Sequence, residues 1–173
     1  MATRRVLCPW CGEVDRPKDL LAAAKRTPTL VQRVLRGLTN AELFQRPAYN
    51  DWSLHDIIAH LADAEIAFGF RIRMILAEES PVIQPFDETA WAGNLDYDHR
   101  NLRILLNSFR TLRAANFELL QISAEADWAR VGRHPDFGPL TLEAVWGHVI
   151  DHDLNHLRQL AETRSEAEPL GGA

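Results

Sequence analysis

His152 and His156 stand four residues apart in the run Asp151-His152-Asp153-Leu154-Asn155-His156. On a helix this spacing sets two imidazoles one turn apart and lets them converge on a single ion. On a wheel of about 100° per residue with Val149 at zero, His152 falls at about −60° and His156 at about −20°, and the apolar centre lies at about +30°. Both rings therefore share a strip that faces a protein interior. Two buried imidazoles without a shared ion would need two separate sets of hydrogen-bond partners, so one metal is the more economical reading. His60 lies on the margin of another apolar helical face, beside Ile57 and Ala64. Alone it reads as an ordinary core histidine; joined to the pair it completes a three-histidine site with open coordination positions.

Two carboxylates accompany these rings. Asp153 falls at about +40°, in the centre of the apolar stripe. A carboxylate buried there must be paired. It either orients a metal-bound imidazole from behind or forms an ion pair with Arg33 or Arg36 of the first helix. Glu65, near the edge of the inner face that carries His60, is the nominee for a general base if the ion serves hydrolysis. The other four histidines take the plainer reading. His55 lies off its apolar face, and His99 and His134 sit near a helix start and in a loop. His148, at about −100° on the wheel, is an edge position and not a ligand.

Four helical segments must position these groups. The first runs from about Lys18 or Pro28 to Leu38, with Thr27-Pro28 resembling an N-cap followed by proline at the first helical position. Thr39 and Glu42 form a capping signal for a short turn near Leu43. The second helix starts at Ser53, answered by Asp56, and continues through Leu54, Ile57, Leu61, Phe68, Ile72 and Ile75. A linker from Pro81 to Asn94 leads to the third, about Asp96 to Ile122. After an irregular stretch, Gly132 to Pro139, Thr141 caps the fourth, whose inner face carries Leu142, Val145, Trp146, Val149, Leu157 and Leu160. No stretch shows period-two alternation bounded by hairpin turns. The fold class is therefore all-α, and four amphipathic helices bury their stripes best as a four-helix bundle. The bundle is expected over residues 17–165, between an irregular N-terminal tail (1–16) and a flexible C-terminal tail (166–173).

The N-terminal tail carries Cys8-Pro9-Trp10-Cys11-Gly12, half of a zinc ribbon, but a four-thiolate site needs two more cysteines and the chain has 2 in all. The pair is expected to be dispensable, with a metal bridge across a dimer as the alternative. At 173 residues, 46% hydrophobic and 25% charged, the chain has the balance of one globular domain. A net charge of −5 with no clustered basic stripe argues against nucleic acid as a partner. No apolar run reaches the ~20 residues of a membrane span. With no secretory leader pattern and no disulfide framework, a cytoplasmic location is the expectation.

Several of these segments together resemble the DinB-like (YfiT-like) superfamily. Trp52-Ser53 and the run Ile58 to Glu65 are similar to the start of its second helix. His134-Pro135, Gly138, Thr141-Leu142 and Asp151 to Leu160 are similar to its last. With Ala77 to Trp91, the likeness covers roughly Leu30 to Glu162. The resemblance implies an up-down-down-up bundle with a long connection between helices two and three, and a metal triad mapping onto His60, His152 and His156. It implies homodimers, and metal-dependent transferases or isomerases that use a low-molecular-weight thiol such as bacillithiol, mycothiol or glutathione. Nothing in it extends to Cys8 and Cys11.

The leading expectation is thus a metal-dependent thiol S-transferase or isomerase acting on small electrophiles, with zinc first among divalent transition metals and nickel or iron as alternatives. A thiol bound to such an ion would ionise near neutral pH and become a nucleophile. A metal-dependent hydrolase, or a non-catalytic, metal-stabilised dimeric stress-response protein, are the alternatives. An open metal position beside a pocket would favour an enzyme; a closed four-ligand site would favour the scaffold.

Overall fold

The structure, a computed structural model, describes residues 2–48 and 51–167. Its elements in chain order are strands β1 (Thr3–Cys8) and β2 (Gly12–Pro17), helices α1 (Leu20–Val34), α2 (Asn40–Phe44), α3 (Leu54–Ala77), α4 (Glu88–Asn94) and α5 (Leu102–Ile122), strands β3 (Val131–His134) and β4 (Gly138–Thr141), and helix α6 (Leu142–Ala167). Short 3-10 turns at Tyr97–His99 and Glu125–Ala129 flank α5.

The helix starts follow local chemistry. Ser53 and Asp56 form a reciprocal capping box on α3, as Thr39 and Glu42 do on α2. Thr141 accepts from the backbone N–H of Ala144 at the start of α6. The first helix departs from expectation: it starts at Leu20, capped by Asp19, and runs through Pro28 without restarting there. Ala24 and Val31, both fully buried, hold it on the bundle through the proline, so packing overrides the local break. The third long helix begins at Leu102 rather than Asp96, because Asn101 caps it with two side-chain bonds.

The four long helices, α1, α3, α5 and α6, form a four-helix bundle. Its direction can be read from the contacts. His55 near the start of α3 meets Arg100 just ahead of α5, and Glu65 meets Arg113 further along both, so these two helices run parallel. His60 lies against His156 and Phe68 against His148, so α6 runs antiparallel to α3. Leu20 and Ala24 share a core with Val145 and Trp146, and Val31 shares one with Leu160, so α1 runs with α6. The result is up-down-down-up, which requires the long connection of residues 78–101 between α3 and α5. That connection carries α4 and packs on β3, with Ile83 N–H donating to the Arg133 carbonyl.

Two segments expected to be irregular are antiparallel hairpins. Residues 3–17 pair from Thr3↔Pro17 to Cys8↔Gly12, and residues 131–141 pair from Val131↔Thr141 to His134↔Gly138. Neither shows clean alternation, because each two-stranded ribbon takes its burial from neighbouring elements rather than from a sheet of its own. The N-terminal hairpin is no loose tail. Arg16 is buried and forms an ion pair with Asp151 of α6, Nη2 to Oδ2 2.5 Å. A Cβ on Gly147 would run into the Arg16 guanidinium and push it from its present place beside Asp151. Of the C-terminal tail, residues 166 and 167 continue α6, and 168–173 lie outside the described residues.

Candidate metal centre

The middle of the bundle separates two apolar cores, one around Trp146 and Ile72, the other around Leu105 and Phe109. Charged and aromatic polar groups fill the layer between. His60 of α3 is fully buried, with His152 and His156 of α6 facing it. One ring nitrogen from each of the three lies within 4.8 Å of the others. His60 Nε2 is 2.8 Å from His152 Nε2, and the ring centroids are 4.4–4.9 Å apart. The helical wheel on α6 is reproduced in space.

Burial disfavours the charged form of all three rings. His60 is pushed down to about 3, first by burial and then by His156. His152 and His156 are also lowered, chiefly by burial. Neutral imidazoles are the form that ligates metal. His156 Nδ1 lies 2.8 Å from Gln159 Oε1, so it donates there and leaves Nε2 free as a donor to an ion. His60 Nδ1 is buried and has no hydrogen-bond partner among the described residues. At 2.8 Å, one of the facing nitrogens of His60 and His152 must carry a proton for the other. A tetrahedral ion would instead hold two nitrogen ligands about 3.3 Å apart, a shift of about half an ångström. Three convergent neutral imidazoles on two packed helices fit a divalent transition metal.

His152 and His156 line a cavity of about 530 Å³, with Phe68, Arg71, Phe86, Glu88, His134 and His148, and His60 lies buried behind them. Trp52 packs over His60 with centroids 4.8 Å apart and stacks near His156 at 6.2 Å. Glu88, in the first turn of α4, brings Oε2 to 3.9 Å from His60 Nε2 while its side chain stays 58% exposed. It reaches both His60 and the cavity. Sequence gave no sign of it, since only the fold of the connection brings α4 here. Gln159, three residues after His156 on the same helix, could have been found from spacing.

The two carboxylates singled out in the sequence have other work. Arg113 of α5 donates through Nε to Glu65 Oε1 at 2.9 Å and through Nη1 to Asp153 Oδ2 at 2.5 Å. Asn116 Nδ2 donates to Glu65 Oε2 at 3.0 Å. Asp153 is therefore paired, as its burial demands, but with Arg113 rather than with Arg33, Arg36 or an imidazole. Glu65, fully enclosed and raised chiefly by burial, is not placed to serve a nucleophile in the cavity. The interior of a parallel α3–α5 pair supplies the cation that a helix-by-helix reading misses.

The remaining histidines divide. His99 is exposed beside Asp96, whose hydrogen bond raises it. His55, off the apolar face of its helix, is a buried, hydrogen-bonded histidine, with Nε2 2.8 Å from the Arg100 carbonyl oxygen and Phe44 stacked on the ring. The outer side of α3 is covered by α2 and by the turn at Tyr97–His99, so its apolar face was no guide to burial. His134, also buried, reaches the cavity wall. His148, at the edge of the α6 wheel and not expected as a ligand, points Nδ1 at Cys8 Sγ and Cys11 Sγ, each 3.5 Å away. The Cys8 thiol is lowered to about 3, first by its hydrogen bond with Cys11, which raises its partner.

Comparison with known proteins adds the family context. The family model of the DinB superfamily matches residues 23–160. A protein of Oceanobacillus iheyensis named as a putative metal-dependent hydrolase is 27% identical over 158 residues, covering 91% of this chain and 86% of that one. YfiT of Bacillus subtilis, named in the same way, is 25% identical over 139 residues, covering 80% and 78%. The solved structure of YfiT, described as a "probable metal-dependent hydrolase with an unusual four-helix bundle topology", matches with a TM-score of 0.79 at 23% identity, covering 88% of this chain and 93% of that chain. A mycothiol-dependent maleylpyruvate isomerase matches with a TM-score of 0.65 at 18% identity, covering 82% and 59%.

Proposed function

The chain belongs to the DinB superfamily, and from that premise we propose that it is a metal-dependent enzyme acting on a small molecule, with His60, His152 and His156 as the ligands of one divalent ion. The observation that carries this reading is the convergence of three neutral imidazoles, two of which, His152 and His156, line a cavity. A closed, four-ligand arrangement would have favoured a scaffold; three rings beside a cavity favour chemistry. Zinc is the first candidate for the ion, with nickel or iron next. Bound there, the ion would supply Lewis-acid activation of a nucleophile, with its full charge undiminished by three neutral ligands.

The protein's own groups divide the remaining tasks. Glu88 accepts the proton that an attacking water gives up, since its carboxylate is exposed to the cavity and within 3.9 Å of a ligand nitrogen. Trp52 and Phe86 pack against His60 and limit the water that reaches the triad. Hydrolysis of a small substrate is the reading that Glu88 favours. The second reading is transfer or isomerisation with a low-molecular-weight thiol as cosubstrate. The cavity volume, about 530 Å³, suits a thiol and a small electrophile together, and the fold is shared with a mycothiol-dependent isomerase.

A zinc-loaded sample assayed against a panel of small esters and amides separates the two readings. Glu88→Gln should lower kcat by at least about a hundredfold, the usual scale of general-base loss, without loss of bound zinc. Stabilisation of the loaded but not the stripped protein by small thiols, with no hydrolysis detected, would move the assignment to thiol transfer. We also propose a homodimer in the cytoplasm. Ile66 and Phe70, one turn apart on the exposed side of α3, offer apolar area for an interface. Sedimentation of only monomer at micromolar concentration would count against it.

A further inference from the structure

Among the described residues, one other group of donor side chains converges outside the triad. The β1–β2 turn carries Cys8-Pro9-Trp10-Cys11 and closes on Gly12, whose φ of +75° is the left-handed conformation that glycine adopts without strain. This turn presents both thiols to the same side. His148 rises to meet them from α6, and Trp10 stacks on its ring at 4.2 Å between centroids, holding the imidazole in place. Arg16 and Asp151 lock the hairpin to the helix one turn further on.

The distances distinguish a metal site from a hydrogen-bonded cluster. His148 Nδ1 is 3.5 Å from Cys8 Sγ and 3.5 Å from Cys11 Sγ. A ring nitrogen has one lone pair or one N–H, directed along a single axis, so it cannot serve two sulfurs equally as a hydrogen-bond partner. One face of a coordination tetrahedron has this pattern by construction. With metal–sulfur bonds of about 2.3 Å and metal–nitrogen bonds of about 2.05 Å, the nitrogen–sulfur edge is about 3.5–3.6 Å. The two sulfurs also lie within 4.8 Å of each other, which admits their edge of about 3.8 Å.

We propose that Cys8, Cys11 and His148 form a second metal site, for a thiophilic divalent ion of the zinc class, with its fourth vertex open toward the cavity. Two thiolates and one neutral imidazole are the donors that zinc takes most readily. Cys11 and His148 both line the cavity that His152 and His156 line, and His148 lies one helical turn from His152. The site pins the hairpin to α6 and completes the cavity wall with Trp10. It stands on its own residues and does not depend on the triad being loaded.

The test uses the full chain, reduced, stripped and titrated with cobalt(II) and then zinc. Wild type should take up ion at the cysteine site with a thiolate-to-cobalt charge-transfer band in the near ultraviolet. His60→Ala/His152→Ala should keep that band. Cys8→Ser/Cys11→Ser and His148→Ala should lose it together with one equivalent of metal. Because these variants can also undock the hairpin, alkylation of wild-type protein supplies an independent measure. Zinc should slow modification of both Cys8 and Cys11 at least tenfold. No charge-transfer band in wild-type protein, or alkylation at the same rate with and without zinc, overturns the proposal.

Discussion

The two donor clusters on α6 are neighbours built by different means. His152 and His156 sit on one strip of a single helix and meet His60 across a helix pair in the bundle interior. Cys8 and Cys11 come from a hairpin added at one end of the chain, and His148 meets them from the same strip one turn earlier. The stretch matched by the DinB family model, residues 23–160, contains every triad residue and excludes both cysteines. One cluster is thus made of helix periodicity and bundle packing. The other depends on a ribbon docked through the buried Arg16–Asp151 pair, the exposed Arg4–Glu143 pair and the stacked Trp10. The triad should tolerate damage to the hairpin, and the cysteine cluster should not.

The largest effect should come from the triad itself. His60→Ala, His152→Ala and His156→Ala should each weaken metal binding at that site on the order of a hundredfold or more, beyond what loss of an outer partner costs. His55→Ala and His99→Ala should leave metal content unchanged by elemental analysis. Retention of the metal in all three ligand variants would break the comparison at its first member.

Undocking the hairpin comes next. Arg16→Met leaves Asp151 buried without its cation, a loss of about 3–5 kcal/mol for a broken buried pair. Limited proteolysis should then cut within residues 3–17 while the triad keeps its metal. If the triad empties as well, the two clusters are one cooperative unit.

A smaller, more selective change tests the support of His156. Gln159→Leu removes the acceptor on Nδ1 and should cost about 10–100-fold in triad affinity. The cysteine cluster should be untouched, as read by its cobalt spectrum.

The mildest effect is that of pH on the stripped protein. His60 titrates at about 3 in the folded chain against 6.5 when unfolded. Above 6.5 both states are neutral and no stability is lost. As pH falls from 6.5 toward 3, the unfolded chain takes up a proton that the folded chain refuses. Each such histidine therefore removes up to about 1.4 kcal/mol per pH unit. Urea midpoints of metal-free protein should fall between pH 6.5 and 5, and His60→Gln should flatten that slope.

How much of this was legible in one dimension follows from the range of each interaction. Capping boxes at Ser53 and Thr39, the stripe of α6 and the His152/His156 strip are set by residues within about one helical turn of each other. The sequence by itself therefore determined the helices, the all-α bundle and the pair of imidazoles on one face. His60 became a partner only through its likeness to a family pattern and through packing. What the tertiary structure alone decided has contacts far apart along the chain: Arg113 between Glu65 and Asp153, Glu88 beside the triad, His148 beneath Cys8 and Cys11. A helical wheel ranks a residue by its own helix. Burial and charge pairing depend on what covers that helix, and in an up-down-down-up bundle with a docked hairpin the cover comes from elsewhere in the chain.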